Sequence, residues 1–479
     1  MTKVKDNNKN ENGLIPIGFN GLIKVNSSIL ITNKLLYGDI ELLFNKAFCL
    51  MIGEVSGDND KNYLILLETD INHRKKAKYK FSGKNEGDYI EALSIFSKIL
   101  TYKPKHLLTI EMSGIAKEEL KDYQGAIEDY SKAIEIDPKY VYPYNCLGNV
   151  KKALTDYQGA IEDYSKAIEI DPKFAFAYNG RGNAKIDLKD YQRAIEDYSK
   201  AIEIDPELSV AYFNRGIAKK ELKDYHGAIE DYTKAIEIDP KWAGAYHNQG
   251  NVKQELKDYQ GALEDYSKAI EIDPEYTYPY NGRGNVKKKL KDYQGAIEDY
   301  SKAIEIDPKF AYSYNGRGNA KKELKDYHGA IDDYSKAIEI NPKLAYPYKG
   351  RGYAKKALKD YQGAIEDYSK AIEIDPKNAF PYNGRGNVKN SSSDYFGAIE
   401  DYSKAIEIDP KFAYPYYGRG NAKKTLKDYQ GAIEDFSKAI EIDPEYANAY
   451  FNRGIAKMYV GDKEGASFDY SLYEKLKNN

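Results

Sequence analysis

DYQGAIEDYSKAIEIDP, residues 292–308, is a phrase the chain repeats almost verbatim. Its closing proline belongs to the series Pro138, Pro172, Pro206, Pro240, Pro274, Pro308, Pro342, Pro376, Pro410 and Pro444, each 34 residues from the last. A fixed 34-residue period marks a stack of helical hairpins in which each unit packs only on its neighbours. One unit, residues 175–208, gives the detail. Tyr191, Ala194, Ile195, Tyr198, Ala201 and Ile202 recur at intervals of three and four, the spacing of a helix with one buried stripe. Tyr178, Ala184 and Leu188 give a first helix a stripe of its own. Asp190 stands at the N-cap of the second helix, and Asp205-Pro206 ends it, because proline cannot continue a helix. Neither stripe is buried by its own hairpin, so stacking must supply the core.

Slots 1 to 34 are numbered so that these prolines fall at slot 32. Full repeats then begin at Leu107, Val141, Ala175, Ser209, Ala243, Thr277, Ala311, Ala345, Ala379, Ala413 and Ala447. Leucine at slot 14 (Leu188, Leu222, Leu256, Leu290, Leu324, Leu358, Leu426) reads as core. Its replacement by Ser392 predicts that the turn at 390–393 is the softest joint. Glu196 and Lys200 read as an i, i+4 pair on a solvated face, as do Glu128/Lys132 and Glu298/Lys302.

The unit resembles the tetratricopeptide repeat family through Tyr178 at slot 4, Gly182 at slot 8, Ala194 at slot 20, Tyr198 at slot 24, Ala201 at slot 27 and Pro206 at slot 32. The resemblance implies an all-α, right-handed superhelical solenoid of helix-turn-helix units whose concave groove binds peptides or extended protein segments. Two slots depart from the family. Slot 7, leucine in the family, is mostly arginine (Arg181, Arg215, Arg283, Arg317, Arg351, Arg385, Arg419, Arg453), and slot 11 is lysine. Slot 23, on the facing helix, is aspartate (Asp197, Asp231, Asp299). The expectation is a partly buried Arg–Asp ladder between paired helices.

Four segments follow. Residues 1–70 belong to no recognised family; Leu22–Val25, Ser28–Thr32 and Tyr63–Leu67 read as strands and Ile40–Ile52 as a helix, a small segment of mixed α/β character. Residues 71–106 read as a degenerate first repeat or cap, with Tyr89, Ala92, Phe96 and Pro104 in register. Residues 107–446 hold ten units, and 447–479 a final unit with a capping tail.

Composition narrows the function. The 479 residues carry 72 basic and 75 acidic side chains, a net charge of −3, which argues against general nucleic-acid binding. Two cysteines, Cys49 and Cys146, point to a reducing, cytoplasmic setting. The longest apolar run, 47–52, is far short of the roughly 20 residues that span a bilayer, so no membrane insertion is expected. The five histidines have no ligand spacing, and no phosphate loop, HExxH or GxSxG occurs, so neither a metal, a cofactor nor catalysis is expected.

Binding is expected on the first helices. Slots 2, 5, 9 and 12 fall within about 80° of one another at 100° per residue, and in the family this stripe faces the groove. Three units carry the full Tyr-Asn-Asn-Lys set: Tyr142, Asn145, Asn149 and Lys152; Tyr278, Asn281, Asn285 and Lys288; Tyr312, Asn315, Asn319 and Lys322. Phe176, Asn179 and Asn183 carry most of it, and Asn387 and Asn421 continue slot 9. Asparagine offers a donor and an acceptor to a peptide group, tyrosine gives rigid contact area, and lysine favours acidic segments. The expected role is a protein-interaction scaffold binding extended segments. The alternatives are a spacer that self-associates through its ends, or a platform for a contact made by residues 1–70. A chaperone-tail carboxylate clamp is not expected, because slot 5 is lysine only at Lys349, whose slot 9 is Tyr353.

Overall fold

The computed structural model describes residues 14–16, 22–24 and 86–477. Strand β1, Leu14–Pro16, pairs antiparallel with β2, Leu22–Lys24, with Leu14 opposite Lys24. The second strand falls within the expected Leu22–Val25. The other elements expected in 1–70, and the first helix of the degenerate unit, lie outside the described residues.

The chain divides into two compact units, Met1–Ile238 and Asp239–Asn479. In the first, helix Glu86–Tyr102 packs Ala92, Phe96 and Ile99 against Leu108 and Ala116 of the next helix. Helix pairs then run from Leu107–Glu119 and Tyr123–Ile136 to Ser209–Glu221 and Tyr225–Ile238. The second unit repeats the pairing from Ala243–Glu255 to Lys463–Lys477. From residue 86 on, each unit is a solenoid of helix pairs.

The boundaries have local causes. In the repeat 311–344 the first helix is Ala311–Glu323 and the second Tyr327–Ile340. Asp326 caps the second helix, its carboxylate accepting from the Gly329 amide at 3.0 Å. In the one repeat with a side chain at slot 19, Arg193, the matching bond from its amide to Asp190 stretches to 3.4 Å. Slot 15 closes the turn in the left-handed region, as at Lys325 with φ 63°. A lysine there carries a strain that glycine avoids, and only the last repeat uses glycine, Gly461 at φ 90°.

The core rests on the slot-24 ring. Tyr300 is fully buried between Gly284 of its own repeat and Gly316 of the next. A methyl on Gly284 would lie 2.9 Å from the ring carbon Cε1, and one on Gly316 2.6 Å away. Tyr164 sits the same way between Gly148 and Gly180. One tyrosine thus joins three helices, and glycine at slots 6 and 8 is what lets them approach.

Two expectations fail. The slot-14 leucines are not core: Leu188 is 48% exposed, and even Leu426 is 36% exposed. Slot 14 is the C-cap, one residue past the last helical turn, where the apolar stripe has already ended. Ser392 keeps the same cap role and Ser393 the same left-handed turn (φ 67°), so the joint at 390–393 loses no buried side chain. The Glu196–Lys200 pair gives way to Lys200–Glu203 at 2.8 Å, and Lys302 likewise meets Glu305, the i, i+3 neighbour on the helix surface.

The Arg–Asp ladder is present and holds more than two members. Arg317 donates from Nε and Nη2 to the two carboxylate oxygens of Asp333, at 3.0 and 2.7 Å. Its Nη1 donates to Ser301 Oγ of the preceding repeat at 3.0 Å. Lys321 adds a second cation to Asp333 at 2.9 Å. The guanidinium also lies 5.7 Å from the Tyr314 ring centroid. The aspartate is buried, so removing one partner strands a charge, whereas removing both does not. Arg317→Met is expected to cost about 3 kcal/mol, and Arg317→Met with Asp333→Leu much less than the sum of the singles. Native-state hydrogen exchange across Tyr327–Ile340 measures the coupling; additive losses would show that the pair does not interact.

Candidate binding surface

The stripe expected at slots 2, 5, 9 and 12 lies on first helices that the tyrosine core holds in place. Its asparagines have structural duties first. The buried slot-24 hydroxyl donates to the slot-9 amide oxygen: Tyr164 to Asn149 and Tyr198 to Asn183, both at 2.7 Å. Tyr300 donates to Asn285 at 2.8 Å, Tyr334 to Asn319 at 3.0 Å and Tyr402 to Asn387 at 2.9 Å. The acceptor half of each amide is thereby committed, and its orientation fixed, leaving the NH2 as the group able to meet a partner. Asn421 is the exception, since slot 24 of its repeat is Phe436.

Slot 5 is more enclosed. Asn179 accepts from Asn214 of the next repeat at 3.1 Å, and Asn281 accepts from Ser313 Oγ at 3.2 Å. The amide oxygens of Asn145, Asn315 and Asn383 are buried without a hydrogen-bond partner. In their following repeats the place of Asn214 is taken by Gly180, Gly350 and Gly418. The glycine that admits the core tyrosine also removes a donor.

Slot 2 is the exposed part of the stripe. Phe176 is 54% and Tyr312 55% exposed, and Tyr278 is comparable. These rings are joined through slot 34, which the sequence reading missed. In the first unit Tyr142 meets Phe174 edge-on at 5.2 Å, and Phe174 meets Phe176 at 5.9 Å. In the second, Tyr278 meets Phe310 at 5.2 Å and Phe310 meets Tyr312 at 5.7 Å. The aromatic two residues before slot 2, as in Phe174–Phe176 and Phe310–Tyr312, was the available signal.

The slot-12 lysines differ between units. Lys152 lies 3.7 Å from Asp187, and a cleft of about 230 Å³ brings Lys152, Asn183, Tyr198 and Asn214 together. Lys322 pairs with the adjacent Glu323 at 3.0 Å, and burial lowers the proton affinity of Lys288. Among the described residues no group of His, Cys, Asp and Glu is placed to hold a metal ion, and no helix is long and apolar enough to cross a membrane.

Models of the tetratricopeptide repeat match residues 175–208, 209–241, 243–276 and 311–344, and TPR repeat models match 119–154, 152–187, 284–325, 352–390, 386–427 and 424–461. The chain therefore belongs to the tetratricopeptide repeat family, whose members are protein-interaction scaffolds that bind protein partners. No curated protein matches it. Among solved structures it is similar to the APC/C hetero-tetramer Cut9-Hcn1, with 16% identity over 82% of this chain and 91% of that one, TM-score 0.45. It is also similar to MamA (27% identity, 34% and 95% covered, TM-score 0.32). A third likeness is YrrB, described as a TPR protein with an unusual peptide-binding site (24% identity, 41% and 99% covered, TM-score 0.35).

One repeat exposes what the ladder arginine does. Slot 7 of the repeat 243–276 is Gln249, and Asp265 keeps Lys253 as its cation at 2.8 Å. Burial pushes the Asp265 carboxyl up from 3.8 to about 6, against the opposing pull of Lys253. A carboxyl raised in the fold favours the protonated state, so its stabilising contribution is complete below pH 3.8 and lost as pH rises through about 6. Amides of Tyr259–Ile272, corrected for intrinsic exchange rates, are expected to be better protected at pH 5 than at pH 7.5. In Gln249→Arg that difference should disappear and protection at pH 7.5 should rise. Equal pH dependence in both proteins would refute the assignment.

Proposed function

We propose that the chain is an adaptor that holds extended peptide segments along the first-helix stripe. The observation that carries this reading is the set of half-exposed rings at slot 2 packed on slot-34 rings, edge-on for Tyr142 with Phe174 and Tyr278 with Phe310 and tilted for Phe310 with Tyr312. Rigid rings give contact area at little entropic cost. Beside them the slot-9 amides, with their oxygens tied to core tyrosines, offer fixed N–H donors to peptide carbonyls and so hold a backbone without reading its side chains. Repetition multiplies weak contacts along one ligand. The stripe is Tyr142, Asn145, Asn149 and Lys152 with its counterparts in later repeats. The reading assigns the chain no catalysis and a cytoplasmic setting, in keeping with its two cysteines.

The test must spare the asparagines, because removing them strands a buried tyrosine hydroxyl. Phe176→Ser, Tyr278→Ser, Tyr312→Ser and Tyr414→Ser together change only exposed rings, at a slot that is already Gly244 in one repeat and Asn448 in another. On an array of 12-residue peptides the wild-type chain is expected to retain a subset, and the four-ring variant to bind those at least tenfold more weakly with unchanged circular dichroism. Undiminished binding would move the working surface to residues 1–70 or to the array ends. Self-association through the end has one observation in its favour: Phe468 is 61% exposed at slot 22, where the other full repeats carry glutamate or aspartate. Sedimentation equilibrium decides it, a mass that rises with concentration and reverts in Phe468→Glu being the expected result.

A further inference from the structure

At two slots the lysines are paired, repeat after repeat. At slot 11 the ammonium meets the buried slot-23 aspartate: Lys287 with Asp299, Lys321 with Asp333 and Lys355 with Asp367, each at 2.9 Å. At slot 26 it meets a glutamate three residues on, as Lys336 meets Glu339 at 2.9 Å and Lys370 meets Glu373 at 2.8 Å. Beside those of slot 11, repeats 277–378 hold four lysines that are not exposed. Lys288, Lys322 and Lys356 stand at slot 12 and Lys349 at slot 5, all half-buried. Among the described residues no carboxylate lies at ion-pair distance from Lys288, Lys349 or Lys356, and Lys322 reaches only its neighbour Glu323. In the other unit Lys152 at slot 12 meets Asp187 of the next repeat, while Lys220, like Lys322, reaches only its neighbour, Glu221.

The group also departs from the tandem copies. Slot 5 is asparagine in the two repeats before and the one after, as Asn281, Asn315 and Asn383, but lysine at Lys349. Slot 9 is Asn285, Asn319 and Asn387, but tyrosine at Tyr353. The two changes meet rings and cations: Lys349 Nζ lies 5.4 Å from the centroids of both Tyr346 and Phe380, and Lys322 Nζ 5.2 Å from that of Tyr353. Burial and the neighbouring ammonium of Lys322 both weaken the hold of Lys349 on its proton. Lys288 is depressed by burial first, then by Lys289 and Lys322. Half-buried cations that repel one another gain most from an anion that joins them.

We propose that this lysine row, carried by the helices Thr277–Lys289, Ala311–Glu323 and Ala345–Ala357, binds an acidic extended peptide through its aspartate and glutamate carboxylates. The proposal rests on the groove reading above and names the chemistry of its partner. The amides of Asn285 and Asn319 stand in the same stripe as N–H donors for peptide carbonyls, which favours a peptide over a single-stranded nucleic acid. The chain's net charge of −3 points the same way.

The test uses the full chain and two fluorescein-labelled 12-residue peptides, (Glu-Ser)6 and (Gln-Ser)6. A four-lysine variant combines Lys288→Gln, Lys322→Gln, Lys349→Asn and Lys356→Asn. Each replacement is a residue that another repeat carries at that slot, Gln254 and Asn390 at slot 12 and Asn383 at slot 5, so the helices keep their packing. Fluorescence anisotropy in about 50 mM salt is expected to give at least tenfold tighter binding of the glutamate peptide, a preference that shrinks in high salt and vanishes in the variant. A preference that survives in the variant overturns the site. Equal affinity for both peptides overturns the acidic preference but leaves the groove reading standing if that affinity falls in the four-ring variant. Tighter binding of a 12-residue oligothymidylate than of the glutamate peptide overturns the choice of partner. Absence of binding to either peptide, with the peptide array also blank, removes both readings.

Discussion

One ring in each repeat sets the terms for the rest of the molecule. The slot-24 tyrosine fills the space where its own first helix and the next repeat's first helix converge, and both must present glycine to it, as Gly284 and Gly316 do to Tyr300. The burial of that ring is the favourable term, and the close approach of helices is its consequence. Its hydroxyl, too deep to reach water, needs an acceptor, and the slot-9 asparagine supplies it. The slot-9 residue of the candidate stripe is thus positioned by the core. Phe436 illustrates the coupling from the other side. With no hydroxyl at slot 24, Asn421 loses that partner, and slot 6 of the next repeat is Asn452 rather than glycine.

The charged seam works by different physics. A buried aspartate such as Asp333 is costly to desolvate, and the fold offsets that cost with a second cation and a bidentate guanidinium, which itself donates to a hydroxyl of the preceding repeat. Because Arg317 grips its own second helix and Ser301 of the preceding one, it fixes the register between repeats as well as within one. Apolar packing alone specifies that register weakly when every unit has the same stripe. Directional, fully satisfied charges discriminate against a slipped stack, since a slip would strand them.

The period, the helix pairs, the aspartate caps and the Arg–Asp ladder were legible in the sequence, because each follows from spacing along one helix or from two slots facing each other. Slot 14 misled because leucine beside a helical stripe reads as core, while the helix in fact ends one residue earlier and leaves Leu324 at the rim. Spacing alone presents Asn149 as a free amide, since no spacing rule shows that a tyrosine 15 residues away claims its oxygen. The slot-34 rings were overlooked because they lie before the first helix, outside the periodic pattern. Local chemistry was legible, and three-dimensional neighbours across repeats were not.

Tandem duplication gives the remaining argument its force. A residue copied into every unit is explained by the packing that every unit shares, as the slot-24 tyrosines and slot-9 asparagines are. Departures from the copy need a separate cause. Gln249 removes a ladder arginine and leaves Asp265 with a raised proton affinity, while Lys349 and Tyr353 add a cation and a ring to a row already rich in both. The first departure weakens the frame at one place. The second does not repair the frame, since Lys349 acquires no carboxylate partner, and it concentrates like charge where the fold elsewhere neutralises it. A substitution that leaves cations half-buried and mutually repelling is not explained by the packing that every repeat shares, and it is this departure that motivates the proposal of an acidic partner.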